Sequence, residues 1–276
     1  MKKLLVPTDF SGEAENALKV AAQLAKKYDC EIILLHMIEL PLNQISTEMT
    51  SPENLPEALF FMKLAHQKFE TEINNEYLKD ITISETVEFN EVSKGILDAC
   101  EKYDVDLIVM GSHGIEQQKD LFVGSNTEKV VRTSSIPVLV IKNTHEHFDI
   151  KEFVFASDFN NDNKETYMQA IKLANLFDAK IHLLNVNTPS NFTTTAASKV
   201  RMLEFTEQTT FDNYTINIYN DNTVEKGILN FSRIVNADLI GISTHGRQGI
   251  SHFLNGSISE DLVHHANRPV VTFKIT

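Results

Sequence analysis

The chain repeats itself, and that limits what it can fold into more than any other feature. Shifted by 149 residues, LLVPTDFSGEAENALKVAAQLAKKYDCEIILLHMIE lies on FVFASDFNNDNKETYMQAIKLANLFDAKIHLLNVNT without a gap, so that Asp9 meets Asp158 and Leu34-Leu35 meet Leu183-Leu184. Further on the shift is 132. Gly95-Ile96-Leu97 meets Gly227-Ile228-Leu229, Gly114 meets Gly246, and Gly124-Ser125 meets Gly256-Ser257. The difference leaves 17 extra residues in the first half, expected in the loop-like stretch within Leu40 to Pro56, which is rich in Pro, Asn and Ser. A period this long means tandem domains, not a solenoid. The expected domains are residues 1–145 and 146–276, joined near the polar run KNTHEHFD at 142–149.

Within each half, short apolar runs alternate with amphipathic stretches. In the first half the pattern predicts strands at Leu4–Pro7, Glu31–Ile38, Thr82–Phe89, Leu107–Met110 and Pro137–Ile141. Between them it predicts helices from a Ser11 cap to Tyr28, then at Glu57–Leu78, Ser93–Tyr103 and Ser125–Thr133. Nearly all-apolar strands with helices between them mean a parallel sheet covered on both faces. The expected fold is α/β: two tandem five-stranded parallel-sheet sandwich domains with right-handed crossovers.

Composition narrows the partners. The net charge is −13 and no basic run occurs, which argues against nucleic acid, since that binding rests on phosphate neutralisation. The longest apolar runs fall far short of the roughly 18 residues a membrane span needs. Cys30 and Cys100 lie far apart with no CxxC, so they read as reduced thiols in a cytoplasmic protein.

The ten glycines are few, yet three fall in GSHGIEQQKDLFVGSN, residues 111–126, just after the apolar run DLIVM. In an open α/β sheet, ligands bind beyond the carboxyl ends of the strands, where the strand order reverses. Gly111 and Gly114 can take positive φ and let backbone N–H groups approach an anion. Gly124 and Ser125 open a helix whose free N–H groups favour phosphate. Asp9 suits a ribose hydroxyl or a phosphate-bound metal, and it also suits a helix cap. On this chemistry alone an anion site and a packing role for the glycines stand level. No Walker lysine motif, GxGxxG, GxSxG or HExxH occurs. The loop histidines His113 and His245 read as loop-stabilising side chains, and no histidine spacing matches a zinc set.

The spacing Gly111-x2-Gly114-x9-Gly124-Ser125, with VPTDFS near the start and IPVLVIK at the end of the half, resembles the nucleotide-binding signature of the universal stress protein family. The second half resembles it through ASDF, STHGRQG, Gly256-Ser257 and RPVVTFK. The resemblance implies an adenine nucleotide alpha hydrolase-like fold with strand order 3-2-1-4-5. It also implies a protein that binds ATP or AMP in some members and no nucleotide in others, with Mg2+ a candidate companion of the phosphates. By matching positions, Thr8, Asp9 and Met37 would hold ribose and adenine, and Gly111, Gly114, Gly124, Ser125 and Asn126 would line ribose and phosphates. In the second half the counterparts are Ser157, Asp158, Val186, Ser243, Gly246, Gly256, Ser257 and Ile258, with Arg247 suited to phosphates.

Each half departs from the pattern. Glu116 or Asp120 near a triphosphate at ~6 Å would cost on the order of 3 kcal/mol per charge pair at an effective dielectric near 20. Ser243 replaces the first glycine of the second loop. It would cost on the order of 1 kcal/mol if φ must be positive there, or its Cβ would block the ribose. With both acidic side chains pointing to solvent the first-half penalty nearly vanishes, and that half, which keeps every glycine, is expected to hold nucleotide more tightly. The expected function is a non-enzymatic stress-response regulator that binds adenine nucleotide and works as a homodimer or with a protein partner. The alternatives are a slow ATPase, for which the loop offers no evident general base, and a nucleotide-free interaction module. The last strands, Pro137–Ile141 and Val270–Lys274, would by the resemblance pair two domains or two subunits.

Overall fold

The computed structural model describes residues 1–39, 55–112, 124–160, 163–207, 209–245, 262–263 and 265–275. In the first half the order is β1 (Lys3–Pro7), α1 (Gly12–Tyr28), β2 (Glu31–Ile38), α2 (Leu55–Ile73), β3 (Ile83–Phe89), α3 (Val92–Tyr103), β4 (Leu107–Gly111), α4 (Ser125–Thr133) and β5 (Val138–Ile141). The second half runs β6 (Glu152–Ala156), α5 (Lys164–Phe177), β7 (Lys180–Asn187), α6 (Thr195–Thr206), β8 (Tyr214–Asn220), α7 (Val224–Ile234), β9 (Leu239–His245) and β10 (Val270–Ile275).

Among the described residues ten strands join in one sheet, ordered β3-β2-β1-β4-β5-β10-β9-β6-β7-β8. Each half, counted by its own strands, is therefore 3-2-1-4-5, as the resemblance implied. Pairing is parallel within each half. The halves meet through one antiparallel pair, β5 with β10, in which Val140 faces Val270 and Val138 faces Thr272. The two lobes thus share a sheet about a pseudo-twofold seam. Across it, Lys274 Nζ donates to the Thr133 carbonyl at 3.0 Å, placing a cation at the carboxyl end of α4, where the helix dipole favours one.

The alternation that predicted these elements reflects their burial. Leu4, Val6, Ile32, Leu34, Leu107, Val109, Phe153, Phe155, Ile181 and Leu183 face one side of the sheet, under α1 and α5. Leu5, Ile33, Leu35, Ile108, Val154, Leu184 and Ile240 face the other. Helix α1 starts as predicted, with the Ser11 side chain accepting from Ala14 N–H. The turns from α1, α3 and α5 into the following strands each use an aspartate at positive φ, Asp29, Asp104 and Asp178. Aspartate tolerates this conformation, so these turns need no glycine.

Two expectations change. The helix predicted to run from Glu57 to Leu78 ends at Ile73, and a separate 3-10 turn covers Glu76–Leu78. Phe69 in α2 and Phe205 in α6 take matching places, so part of the extra length lies after α2 and the rest before it. Residues 40–54 lie outside the described residues. The polar run between the lobes is held to α1. Gln23 holds it from both sides, donating to the His145 carbonyl at 2.9 Å and accepting from Phe148 N–H at 2.7 Å. Phe148 and Ile150 are buried.

Candidate functional site

In the first lobe β1 lies between β2 and β4, so the strand order reverses at β1/β4. Leu4 pairs with Leu107 and Leu5 with Ile108. Continuing that register places Thr8 and Asp9 beside Gly111 and Ser112, at the carboxyl ends of neighbouring strands. The Gly124 N–H donates to the Ser112 carbonyl at 2.7 Å, and Thr127 Oγ1 donates to the Gly111 carbonyl at 3.0 Å. These two bonds tie the start of α4 to the end of β4, so Asp9, Gly111, Gly124, Ser125 and Asn126 share one rim of the sheet. Gly124 is the cap residue of α4 and has no side chain to occupy its first N–H groups. Gly114 lies outside the described residues, as do Gly246, Arg247, Gly256, Ser257, Ile258 and the loop positions Glu116 and Asp120.

The loop after β1 is tightly folded. Phe10 has φ 64°, a left-handed conformation unusual for a bulky residue. Two side chains secure it: Thr8 Oγ1 accepts from Phe10 N–H at 2.9 Å, and Asp9 Oδ1 accepts from Ser11 N–H at 3.0 Å. The Phe10 ring then packs edge-on against Phe69. The second lobe repeats this device. Phe159 has φ 57°, Ser157 Oγ accepts from its N–H, Asp158 Oδ1 accepts from Asn160 N–H, and the ring packs on Phe205. The Asp-Phe pair kept by the repeat is thus partly a turn lock, in line with the structural role at the helix start that Asp9 also suited.

Gly111 is a glycine for a different reason than the one expected. No described glycine has positive φ. A Cβ on Gly111 would lie 2.8 Å from the Glu13 carbonyl carbon and oxygen, so the position is emptied to let β4 pass the first turn of α1. Its counterpart Ser243 is fully buried and turns its hydroxyl toward α5, 2.7 Å from Thr166 Oγ1. Neither expectation for Ser243 holds: it has no positive φ, and its side chain faces a helix and not a ribose. Met37 and Val186 stand at matching places near the ends of β2 and β7. Their side chains lie over Gly95 and Gly227, where a Cβ would come within 2.1 Å of Met37 Cε and 2.4 Å of Val186 Cγ1.

Two further groups border the first site. His36 Nδ1 lies 2.8 Å from the Thr8 carbonyl, which can only accept, so Nδ1 carries the proton. Burial pulls the His36 pKa below its ordinary value, and Lys68 adds to this, while the Thr8 carbonyl and Asp9 oppose it. Lys68 Nζ sits 4.9 Å from the centre of the Phe10 ring. Both residues are legible only after folding, because α2 and β2 bring them to the loop from a distance. Among the described residues no cluster of His, Cys, Asp and Glu is arranged to hold a metal.

A doubly repeated α/β sheet whose strand order reverses at β1/β4, with Asp9 and the start of α4 at the carboxyl ends of those strands, defines the class: a tandem α/β protein built on one shared sheet. The family model described as Universal stress protein family matches residues 1–142 and 216–274. The chain belongs to the universal stress protein family. A universal stress protein of Methanocaldococcus jannaschii is 31% identical over 150 residues, covering 51% of this chain and 82% of its own. One from Synechocystis is 24% identical over 294 residues, covering 99% of this chain and 100% of its own, so the tandem form recurs there. The crystal structure of a universal stress protein from Archaeoglobus fulgidus has 22% identity and TM-score 0.69, covering 99% of this chain and 98% of its own. It supports the fold across both lobes. No described helix is long and apolar enough to cross a membrane.

Proposed function

We propose that the protein binds an adenine nucleotide, AMP or ATP, and acts as a non-enzymatic regulator in stress response. The observation that carries this reading is the meeting of Asp9 with the Gly111–Ser112 and Gly124–Ser125 ends on one rim, at the point where the strand order reverses. A carboxylate there suits a ribose diol, because it accepts from both hydroxyls. The uncapped N–H groups of α4 and the Ser125 hydroxyl suit phosphate oxygens. Mg2+, where ATP is bound, would neutralise phosphate charge, with Asp9 and Ser125 the oxygen donors within this set. The two cysteines are buried free thiols, in keeping with work in the cytoplasm. Nucleotide binding would bias the rim loops toward a second copy or a protein partner.

The test is a mass spectrum of small molecules released on denaturing the purified protein, beside titrations with AMP and with ATP and Mg2+. Co-purified adenine nucleotide, or saturable binding, supports the reading. Absence of both rejects it and leaves the interaction module. ATP turnover that disappears in Asp9→Ala would instead establish the slow ATPase.

A further inference from the structure

We infer that the nucleotide site is confined to the first lobe and that Asp158, the second-lobe counterpart of Asp9, is a structural staple. This rests on the nucleotide reading above. Both oxygens of Asp158 are committed. Oδ1 accepts from Asn160 N–H at 3.1 Å and from Asn163 Nδ2 at 2.6 Å, and Oδ2 accepts from Asn160 Nδ2 at 2.7 Å. The carboxylate is buried, and Asn163 is fully so. Opening this net for a ribose would strip two side-chain amides and one backbone amide of a charged acceptor. Such bonds are among the stronger ones in proteins, so exchange for two hydroxyls is unfavourable.

The first lobe cannot build this net. Ser11 and Ala14 stand where the second lobe has Asn160 and Asn163. Ser11 uses its hydroxyl on Ala14 N–H, and Ala14 offers only a methyl group. Asp9 is partly exposed, whereas Asp158 is buried. The amide pair also explains where α5 begins. Asn163 is its cap residue yet makes no side-chain cap bond of the usual kind, because its amide is turned to Asp158.

Charge points the same way. Phe69 and Phe205 take matching places, each edge-on to the phenylalanine of the turn. The residue before Phe69 is Lys68, lying against the turn, whereas the residue before Phe205 is Glu204. Beside the turn, then, the first lobe sets a cation at a position where the second lobe's sequence has an acidic residue.

The experiment uses the full-length protein with AMP as the probe. Equilibrium binding should saturate at one AMP per chain. Irradiation with 8-azido-AMP, followed by peptide mapping, should place the competable label on first-lobe peptides. Asp9→Ala should lose at least tenfold in affinity with no residual tight site. Two AMP per chain, equal label on second-lobe peptides, or half the sites surviving in Asp9→Ala would each overturn the inference while leaving nucleotide binding standing. No saturable AMP binding to the unaltered protein would overturn both. A melting curve of Asp9→Ala separates lost binding from lost folding, and the peptide map of the unaltered protein needs no variant.

Discussion

Ser243 Oγ lies 2.7 Å from Thr166 Oγ1, at the place where the first lobe sets Gly111 against the Glu13–Ala14 backbone. The two lobes solve one packing problem differently. In the first, the strand glycine lets the helix backbone come close. In the second, a serine and a threonine stand at this place and share a hydrogen bond, with Thr166 also bonded to the Asn163 carbonyl at 2.8 Å.

Exchanging these solutions should therefore fail in both directions. Gly111→Ser should destabilise by about 2 kcal/mol, because backbone must move to admit the side chain. Ser243→Gly should cost about 1 kcal/mol through the lost bond, and more if the gap stays open. Urea unfolding of both variants measures this. Equal tolerance of serine at 111 would contradict the helix-contact account.

The paired glycines Gly95 and Gly227 should differ in their response to alanine. Both are inside helices, where Ala is favoured over Gly by about 1 kcal/mol. At Gly95 the obstacle is the flexible end of Met37, which can swing aside; at Gly227 it is the stiff, branched Val186. Gly95→Ala should be near neutral and Gly227→Ala destabilising by about 1–2 kcal/mol. Thermal melts of the two variants decide the order.

Stability should fall as pH rises through neutrality at one identifiable carboxyl. Glu72 is pushed up to about 7, chiefly by burial, with Glu15 and Asp9 adding repulsion. Its Oε2 is buried without a hydrogen-bond partner. The folded value lies above the unfolded one of roughly 4.3, so the folded state retains the proton between the two. The contribution is complete below about pH 4.3 and is lost as pH rises through about 7. Glu72→Gln should flatten the pH dependence of urea unfolding in that window and be the more stable chain at pH 8. An unchanged slope would place the titration elsewhere.

Lys68 should matter to nucleotide and little to folding. It borders the Asp9 turn, and reversing its charge in Lys68→Glu should weaken AMP binding about fivefold to tenfold, the effect of roughly 1 kcal/mol at a partly screened distance. Raising salt should shrink the difference between the two chains. Identical affinities at low salt would remove Lys68 from the site.

Lys274→Met should loosen the seam modestly. The ammonium lies at the last carbonyls of α4 and comes from the other lobe. Its loss should cost about 0.5–1 kcal/mol. Faster hydrogen exchange confined to α4 and the β5/β10 pair would locate the effect there; uniform exchange changes would not.

The repeat, the covered parallel sheet, the Ser11 cap and the burial of each strand could be read from the residues, because these depend on periodicity and on neighbours close in the chain. The rim shared by Asp9 and Gly124 followed once the strands were ordered. What only the folded chain decided was the meaning of single residues. Gly111 and Ser243 looked alike in their loops, yet Gly111 makes room for the α1 backbone and Ser243 bonds to Thr166 in α5. Asp9 and Asp158 looked equivalent, yet one lies half-open on its turn and the other is gripped by Asn160 and Asn163. Lys68 and His36 carried no signal until α2 and β2 brought them to the turn. Local pattern determines which side of an element is buried, but a side chain's partners are set by distances across the sheet, which the order of residues along the chain does not carry.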